Sequence, residues 1–186
     1  MGEAIGSFHK LKQLNLSHCG FDGAVPYQLG NLSNLQSLNL SGNFLLTANN
    51  LVWLSQLRLL RQLDLSWINL NMTNWVQVIF NLPFLEELHL SGCQLGGDAT
   101  PSMPLLLNSS SNSLSFLDLS WNHLTSSSTY SWLFNISKNL VSIDLSSNEL
   151  EGHIPDAFGE IISLQDIDMS FNHLTGGIPK SFQNLN

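Results

Sequence analysis

A motif of three apolar residues, written apolar-x-x-apolar-x-apolar, occurs seven times along this chain of 186 residues. The motifs begin at positions 11, 35, 60, 85, 114, 140 and 164, so that successive starts are 24 to 29 residues apart. A period in this range is typical of a solenoid, in which each structural unit packs only against its neighbours. The repetition therefore predicts a stacked architecture with a long, repeated surface, which suits binding better than catalysis.

The sixth repeat shows how each unit is expected to fold. Leu140, Ile143 and Leu145 alternate with other residues, which predicts a short strand with one buried face. Gly152 and Pro155 follow where the backbone must bend and return. We therefore predict an α/β solenoid, a right-handed superhelix with a parallel sheet of seven short strands on its concave face. Its convex side is expected to be mostly irregular or 3₁₀-helical.

The eighth residue after each repeat start lies where the chain leaves the strand and backbone groups lack partners. A buried Asn side chain both donates to and accepts from such groups. Cys19 and Cys93 occupy this position roughly 14 Å apart, beyond disulfide reach, so we predict two free, buried thiols that replace Asn. Ile68 cannot replace Asn, so we expect local irregularity, with Asn69 taking over through a one-residue shift. The predicted ladder consists of Cys19, Asn43, Cys93, Asn122, Asn148 and Asn172.

The composition argues against nucleic acid as a partner and favours a secreted protein. The formal net charge is −8, whereas nucleic acid requires a basic surface. Only 11% of the residues are charged, so uncharged polar residues cover most of the predicted surface. No apolar run is long enough to span a membrane, and residues 1–6 do not resemble a signal peptide. Candidate N-glycosylation sequons begin at Asn15, Asn31, Asn39, Asn71, Asn108 and Asn135.

We interpret residues 1–186 as one array of repeats without caps. The chain begins and ends within a repeat, so we expect a segment of a longer protein whose exposed end repeats lower its stability. The fourth repeat contains an irregular insertion, residues 96–113, which predicts a loop on the convex or lateral side. A second Ser-rich stretch, Thr125 to Tyr130, is interpreted in the same way.

The repeat unit L-x-x-L-x-L-S-x-N-x-L-x-G-x-I-P-x-x-L-G-x-L is similar to the plant extracellular leucine-rich repeat, most closely at residues 150–155 and 174–179. Residues 23–35 resemble plant receptor-like proteins of the fungal-xylanase-receptor class. Further segments with this resemblance are residues 50–54, 75–78 and 88–95. The resemblance implies a receptor ectodomain at the extracellular face of the plasma membrane. It also implies a protein or peptide ligand, a co-receptor with leucine-rich repeats, and no cofactor.

Candidate binding residues are identified by their position on the concave face. The fourth residue after most repeat starts is acidic, and the seventh is aromatic in the third, fifth and seventh repeats. Exposed aromatic residues beside carboxylates are candidate anchors for a peptide, a protein or a sugar ring. The alternative is that Asp in this motif only solvates the strand. The predicted ligand-binding residues are Trp67, His89, Asp118, Trp121, Asp144, Asp168 and Phe171.

The sequence predicts neither an enzyme nor a metal site. Asp118, Ser120 and His123 are close in sequence, but an open sheet surface offers them no evident oxyanion donor. His123 and His173 are two repeats apart, roughly 10 Å by strand spacing, which is too far to share one ion.

Three functions remain open from the sequence alone. The first is a non-catalytic recognition module of a receptor-like ectodomain in defence or developmental signalling. The second is a secreted inhibitor of microbial cell-wall hydrolases, since an acidic concave surface suits a basic enzyme. The third is a truncated segment without independent function. A membrane helix in the full-length gene favours the receptor, and two Cys-containing caps without such a helix favour the inhibitor.

Overall fold

The computed structural model describes residues 3–70, 75–96 and 113–185. Its strands in chain order are β1 Gln13–Asn15, β2 Asp22–Ala24, β3 Ser37–Asn39, β4 Leu45–Thr47, β5 Gln62–Asp64, β6 Glu87–His89, β7 Phe116–Asp118, β8 Ser142–Asp144, β9 Glu151–His153, β10 Asp166–Asp168 and β11 His173–Thr175. Seven of them form one parallel sheet in the order β1-β3-β5-β6-β7-β8-β10. The predicted solenoid with a parallel sheet of seven short strands is confirmed.

The apolar motif forms the core because its residues stack in register. Leu38 pairs with Leu63, which pairs with Leu88, and this column of central strand residues runs through the whole sheet. These three side chains are buried, whereas Leu14 and Ile167 are only partly buried. Leu14 lies on β1 and Ile167 lies on β10. The difference in burial arises because these two strands are the outer strands of the sheet.

Short parallel ribbons lie beside the main sheet. Strand β2 pairs with β4, and β9 pairs with β11. Single bridges join the repeats between these ribbons, at Thr47–Asn69, Gly96–His123 and Thr125–Glu149. The chain segment that leaves each strand of the main sheet is therefore tied to its neighbours as well.

The segments that return to the next strand are mostly 3₁₀-helical, as the sequence predicts. The described part contains two α-helices, α1 Trp75–Ile79 and α2 Ser126–Ile136. Trp75 and Trp132 pack edge to face between these helices, with ring centroids 5.4 Å apart. The 3₁₀ helices are Glu3–Ser7, Tyr27–Asn31, Val52–Gln56, Ser137–Asn139, Asp156–Glu160 and Lys180–Asn184.

The Ser-rich stretch Thr125 to Tyr130 is helical, so its interpretation as a loop was wrong. Thr125 occupies the N-cap position of α2, and its hydroxyl lies 2.9 Å from that of Ser128, one turn further along. Small hydroxyl residues are favoured at helix starts, although the Thr125 side chain makes no capping hydrogen bond to a backbone N–H of α2. Trp132, buried in the core, gives the helix its tertiary support. Residues 97–112 of the predicted insertion lie outside the described residues.

Side-chain amides connect the repeats at the turn after four strands of the main sheet. Asn122 Nδ2 donates to the carbonyl of Leu90 in the preceding repeat (2.9 Å) and to that of Leu119 in its own repeat (3.0 Å). Its Oδ1 accepts from the N–H groups of Cys93 (3.1 Å) and Leu95 (2.9 Å). Because one side chain satisfies buried groups of two repeats, its loss is expected to uncouple them. Equivalent bonds across repeats are made by Asn43, Asn148 and Asn172.

The three residues without an amide at this position behave differently from one another. Cys93 is buried, and its thiol donates to the carbonyl of Leu65 at 3.1 Å, the bond that Asn makes elsewhere. Cys19 is exposed, so the prediction of a buried thiol there was wrong, because this residue belongs to the outer repeat. Ile68 is fully buried and keeps its place in the column, so the predicted one-residue shift to Asn69 does not occur. The sheet stays in register through this repeat.

The two thiols are expected to differ in reactivity. Burial raises the pKa of Cys93 from 9.0 to about 12, so its thiolate is scarce in the folded chain. A thiol reagent should modify one cysteine in the native protein and two in guanidinium. Two fast-reacting thiols in the native protein, or none after unfolding without reductant, would contradict this expectation.

The stability that neutral Cys93 contributes should be complete below pH 9 and decline toward pH 12.

Core substitutions should cost more in the middle of the array than at its edge. Leu117→Ala removes a completely buried side chain between two strands and should lower the free energy of unfolding by about 3 kcal/mol. Leu14→Ala, in the same column but partly exposed on β1, should cost less than half as much. Urea denaturation of the two variants measures the difference. Equal losses would show that β1 is covered in solution.

Candidate ligand-binding surface

Two rows of side chains face away from the core along the sheet. The carboxylate row is the fourth residue after each repeat start and contains Asn15, Asn39, Asp64, His89, Asp118, Asp144 and Asp168. The aromatic row is the seventh residue and contains His18, Gly42, Trp67, Gly92, Trp121, Ser147 and Phe171. All seven predicted binding residues belong to one of these rows.

The carboxylate row has a local structural role. Oδ1 of Asp118 accepts from the N–H of Ser120 at 2.9 Å and from its hydroxyl at 2.7 Å, which closes the turn after β7. Asp144 accepts the equivalent N–H at 2.8 Å. At Asp168, hydrogen bonds from Ser170 lower the pKa of the carboxyl group, so it is charged at neutral pH. Asn39 makes the same two bonds as Asp118, so the turn needs the side-chain oxygen and not the charge.

His89 interrupts the carboxylate row and lines a shallow depression. Its ring packs on that of Phe116 in the next repeat, with centroids 4.7 Å apart. The depression has a volume of about 130 Å³ on the sheet surface between β3 and β6. Asp64 and Glu87 place two carboxylates in its lining. The sequence analysis selected only His89 here, because the depression becomes visible only when three repeats are placed side by side.

Every residue of the aromatic row has a left-handed backbone. The φ angles lie between 52° and 69° across the seven repeats, and only Gly42 and Gly92 are glycines. For bulky residues such as Trp67 and Trp121 this conformation costs roughly 1–2 kcal/mol each. Both are nevertheless well exposed, at 41% and 62%. These side chains therefore lie in a strained position without the burial that would compensate for the strain.

Two tryptophans of the row contact each other across a glycine. The ring centroids of Trp67 and Trp121 are 6.3 Å apart at an interplanar angle of 43°, although a whole repeat separates them. Gly92 lies between them, and a Cβ atom there would come within 2.5 Å of the Trp67 ring. Phe44, 67% exposed, extends the contact on the other side of Trp67, at 6.1 Å. We call Phe44, Trp67 and Trp121 the aromatic cluster.

The structure separates the predicted site residues into groups. Trp67 and Trp121 meet in the aromatic cluster, whereas Phe171 is 85% exposed and makes no ring contact within the described ranges. The sequence analysis missed Phe44, because it lies nine residues after its repeat start and outside the aromatic row. The signal available in the sequence was that Phe44 is an aromatic residue in the repeat before Trp67, only two positions later within its repeat.

The candidate sequons lie on different sides of the chain. Asn15 and Asn39 are on strands of the main sheet, where a glycan would cover part of the carboxylate row. Asn31 ends a 3₁₀ helix and Asn135 lies on α2, and both are exposed. The remaining two sequons, at Asn71 and Asn108, lie outside the described residues.

The ionisable residues in the described ranges show no cluster of three or more metal-ligating side chains. His123 Nδ1 instead lies 2.8 Å from Glu149 Oε1 at the edge of the sheet. No helix among residues 3–70, 75–96 and 113–185 is long and apolar enough to cross a membrane.

Comparison with known proteins identifies the repeats. A family model described as Leucine Rich Repeat matches residues 10–32, 34–57, 139–161 and 163–185, which make up half of the chain. A second Leucine Rich repeat model matches residues 81–99 and 110–128. The chain is 47% identical over 161 residues to the receptor-like protein EIX1 of Solanum lycopersicum, covering 87% of this chain and 15% of EIX1. It is 48% identical over 92 residues to EIX2 of the same plant, covering 50% of this chain and 9% of EIX2.

Solved structures agree with this assignment. The Arabidopsis receptor kinase HAESA, in complex with the peptide hormone IDA and the co-receptor SERK1, superposes with a TM-score of 0.73 at 31% identity, over 96% of this chain and 29% of HAESA. A plant ice-binding protein superposes with a TM-score of 0.70 at 26% identity, over 93% of this chain and 53% of that protein. The chain thus spans only a small part of the receptor-like relatives. It belongs to the leucine-rich-repeat family, and its repeats are similar to those of plant receptor-like proteins.

Proposed function

We propose that this chain is a recognition module of a plant cell-surface receptor-like protein and binds an extracellular protein or peptide, without catalysis. The observation that carries the proposal is the exposed Trp67–Trp121 contact, formed by two residues in strained left-handed conformations. Exposed aromatic clusters mark interaction sites in soluble proteins. The similarity to EIX1 supports the receptor class, and extracellular exposure at the plasma membrane is proposed on the same basis.

The distribution of charge supports an extended ligand rather than a compact one. Asp64, Asp118, Asp144 and Asp168 are in one row over five repeats, parallel to the aromatic row. A ligand that lies along the sheet would contact both rows, with the aromatic side chains as anchors and the carboxylates steering its approach. HAESA, whose structure contains a bound peptide hormone, has the same fold over this region, which supports a peptide as the ligand class.

The rows can be tested separately with peptides selected against this chain from a displayed random library. Trp121→Ala should weaken binding of the selected peptides by about 2 kcal/mol, roughly thirtyfold, if it is a hot spot. Changing Asp118, Asp144 and Asp168 together to Asn keeps the turn-closing oxygen, as Asn39 shows, and removes only charge. This triple variant should bind more slowly and lose its salt dependence. Surface plasmon resonance at two salt concentrations measures both effects.

A control for these variants is Ile162→Ala, because Ile162 is an exposed apolar residue outside both rows. It should bind like the parent. Selected peptides that bind the Trp121 and Asp variants unchanged, but fail to bind when residues 97–112 are replaced by a glycine-serine linker, would show that the insertion is the recognition surface. The proposal would then be wrong.

Trp121 should matter much less for stability than for binding. Trp121→Gly relieves the left-handed backbone strain of roughly 1–2 kcal/mol, which offsets the lost ring contact and the added flexibility of glycine. The free energy of unfolding should change by less than about 1 kcal/mol in urea titrations. Leu119→Gly, at a completely buried position two residues earlier, should lose more than about 3 kcal/mol. A comparably large loss at Trp121 would mean that the ring is held for packing.

A further inference from the structure

We propose that the aromatic cluster and its neighbouring carboxylates bind arginine side chains of a basic, extended peptide. This inference rests on the proposed function and names the chemical class of the ligand. It depends on three features of the described residues: the tilted tryptophan pair, the surplus of carboxylates beside it, and the pairing of the nearby basic groups.

The tryptophan pair offers ring faces to a cation. Trp67 and Trp121 are tilted by 43° with centroids 6.3 Å apart, and both are partly open to solvent. A planar guanidinium stacks on such faces and is attracted by the ring quadrupole, most strongly for tryptophan. Gly92 makes the arrangement feasible, since a side chain there would displace the Trp67 ring.

A carboxylate precedes each tryptophan of the pair in the repeat register. Asp64 and Asp118 each precede a tryptophan of the pair by three residues, on β5 and β7. Glu87 lies on the intervening strand β6 and lines the depression together with Asp64. The depression of about 130 Å³ therefore provides a second polar position on the same sheet, lined by Asp64 and Glu87, where another basic group of the same ligand is neutralised.

Two basic side chains near this surface in repeat position, Arg61 and His123, are already paired with glutamates. Arg61, at the start of the third repeat motif, forms an ion pair with Glu86. His123, two residues after Trp121, is paired with Glu149. The whole chain has 14 acidic and 6 basic residues, so its overall charge also favours a cationic ligand. A neutral glycan would stack on the tryptophans too, but it would leave the carboxylates without a counter-charge.

The proposal can be tested with a designed probe. The probe is an acetylated and amidated hexapeptide that alternates glycine and arginine, and its control carries citrulline, which has nearly the same shape and no charge. Trp53, Trp75 and Trp132 are buried, so a change in tryptophan fluorescence on binding reports mainly on Trp67 and Trp121. We expect saturable binding of the arginine peptide at low salt and at least about tenfold weaker binding of the citrulline peptide.

Variants locate the binding site within the chain. Trp121→Leu keeps an apolar side chain and removes the indole, and should weaken arginine-peptide binding about tenfold in calorimetric titrations. Phe84→Leu is the matched control, because Phe84 is an exposed aromatic residue outside both rows and outside the aromatic cluster. It should bind the peptide like the parent. Circular dichroism verifies that both variants are folded.

Several outcomes would overturn the assignment. Equal binding of the arginine and citrulline peptides would exclude recognition of the cation, and no binding of either would exclude the site. A fluorescence change with xylohexaose and none with the arginine peptide would make the cluster a sugar-stacking surface. If the arginine probe fails while library-selected peptides still require Trp121, the proposed function stands and only the ligand class assigned here is wrong.

Discussion

The left-handed turn after each strand is the constraint on which the rest of this structure depends. In all seven repeats the backbone has a positive φ at the same position, and the next residue in most repeats is a buried Asn or Cys that bonds to the preceding repeat. The turn brings this side chain beneath the sheet, where it satisfies carbonyl and N–H groups that water cannot reach. The register of the sheet and the spacing of the surface rows follow from this geometry.

The same turn places large side chains where they gain little for folding. Glycine is the residue that a left-handed position favours, and two repeats have it. Two others place tryptophans there, and Gly92 between them lets the indoles touch. A residue that costs conformational strain and remains exposed is difficult to explain by stability alone. The contact of the two exposed indoles across the intervening repeat is therefore the feature on which the proposed ligand site rests.

The periodicity predicted the sheet, its register and the buried amides, because each depends on contacts that every repeat forms identically. Predictions from the periodicity failed where the surroundings of a residue differ from those of the residues at the same position in other repeats. Cys19 occupies the same position as Cys93 but lies in an outer repeat and is exposed. The Ser-rich stretch after Thr125 has a capping pattern and an apolar face, and tertiary contacts of Trp132 support a helix there. The aromatic cluster depends on how the rings lean across Gly92, which no spacing in the sequence reveals.

The hydrogen bonds of the carboxylate row show which property of its side chains the turn requires. The turn requires a side-chain oxygen that accepts from the serine two residues later, and Asn39 meets this requirement as well as Asp118 does. The charge of the Asp residues is therefore not needed for the hydrogen bond, and placing four of them along one face adds mutual repulsion. Since the turn forms with either residue type, the charge is available to attract a partner, as the proposed function requires. The proposed ligand surface therefore combines two rows of side chains whose backbone positions are determined by one turn.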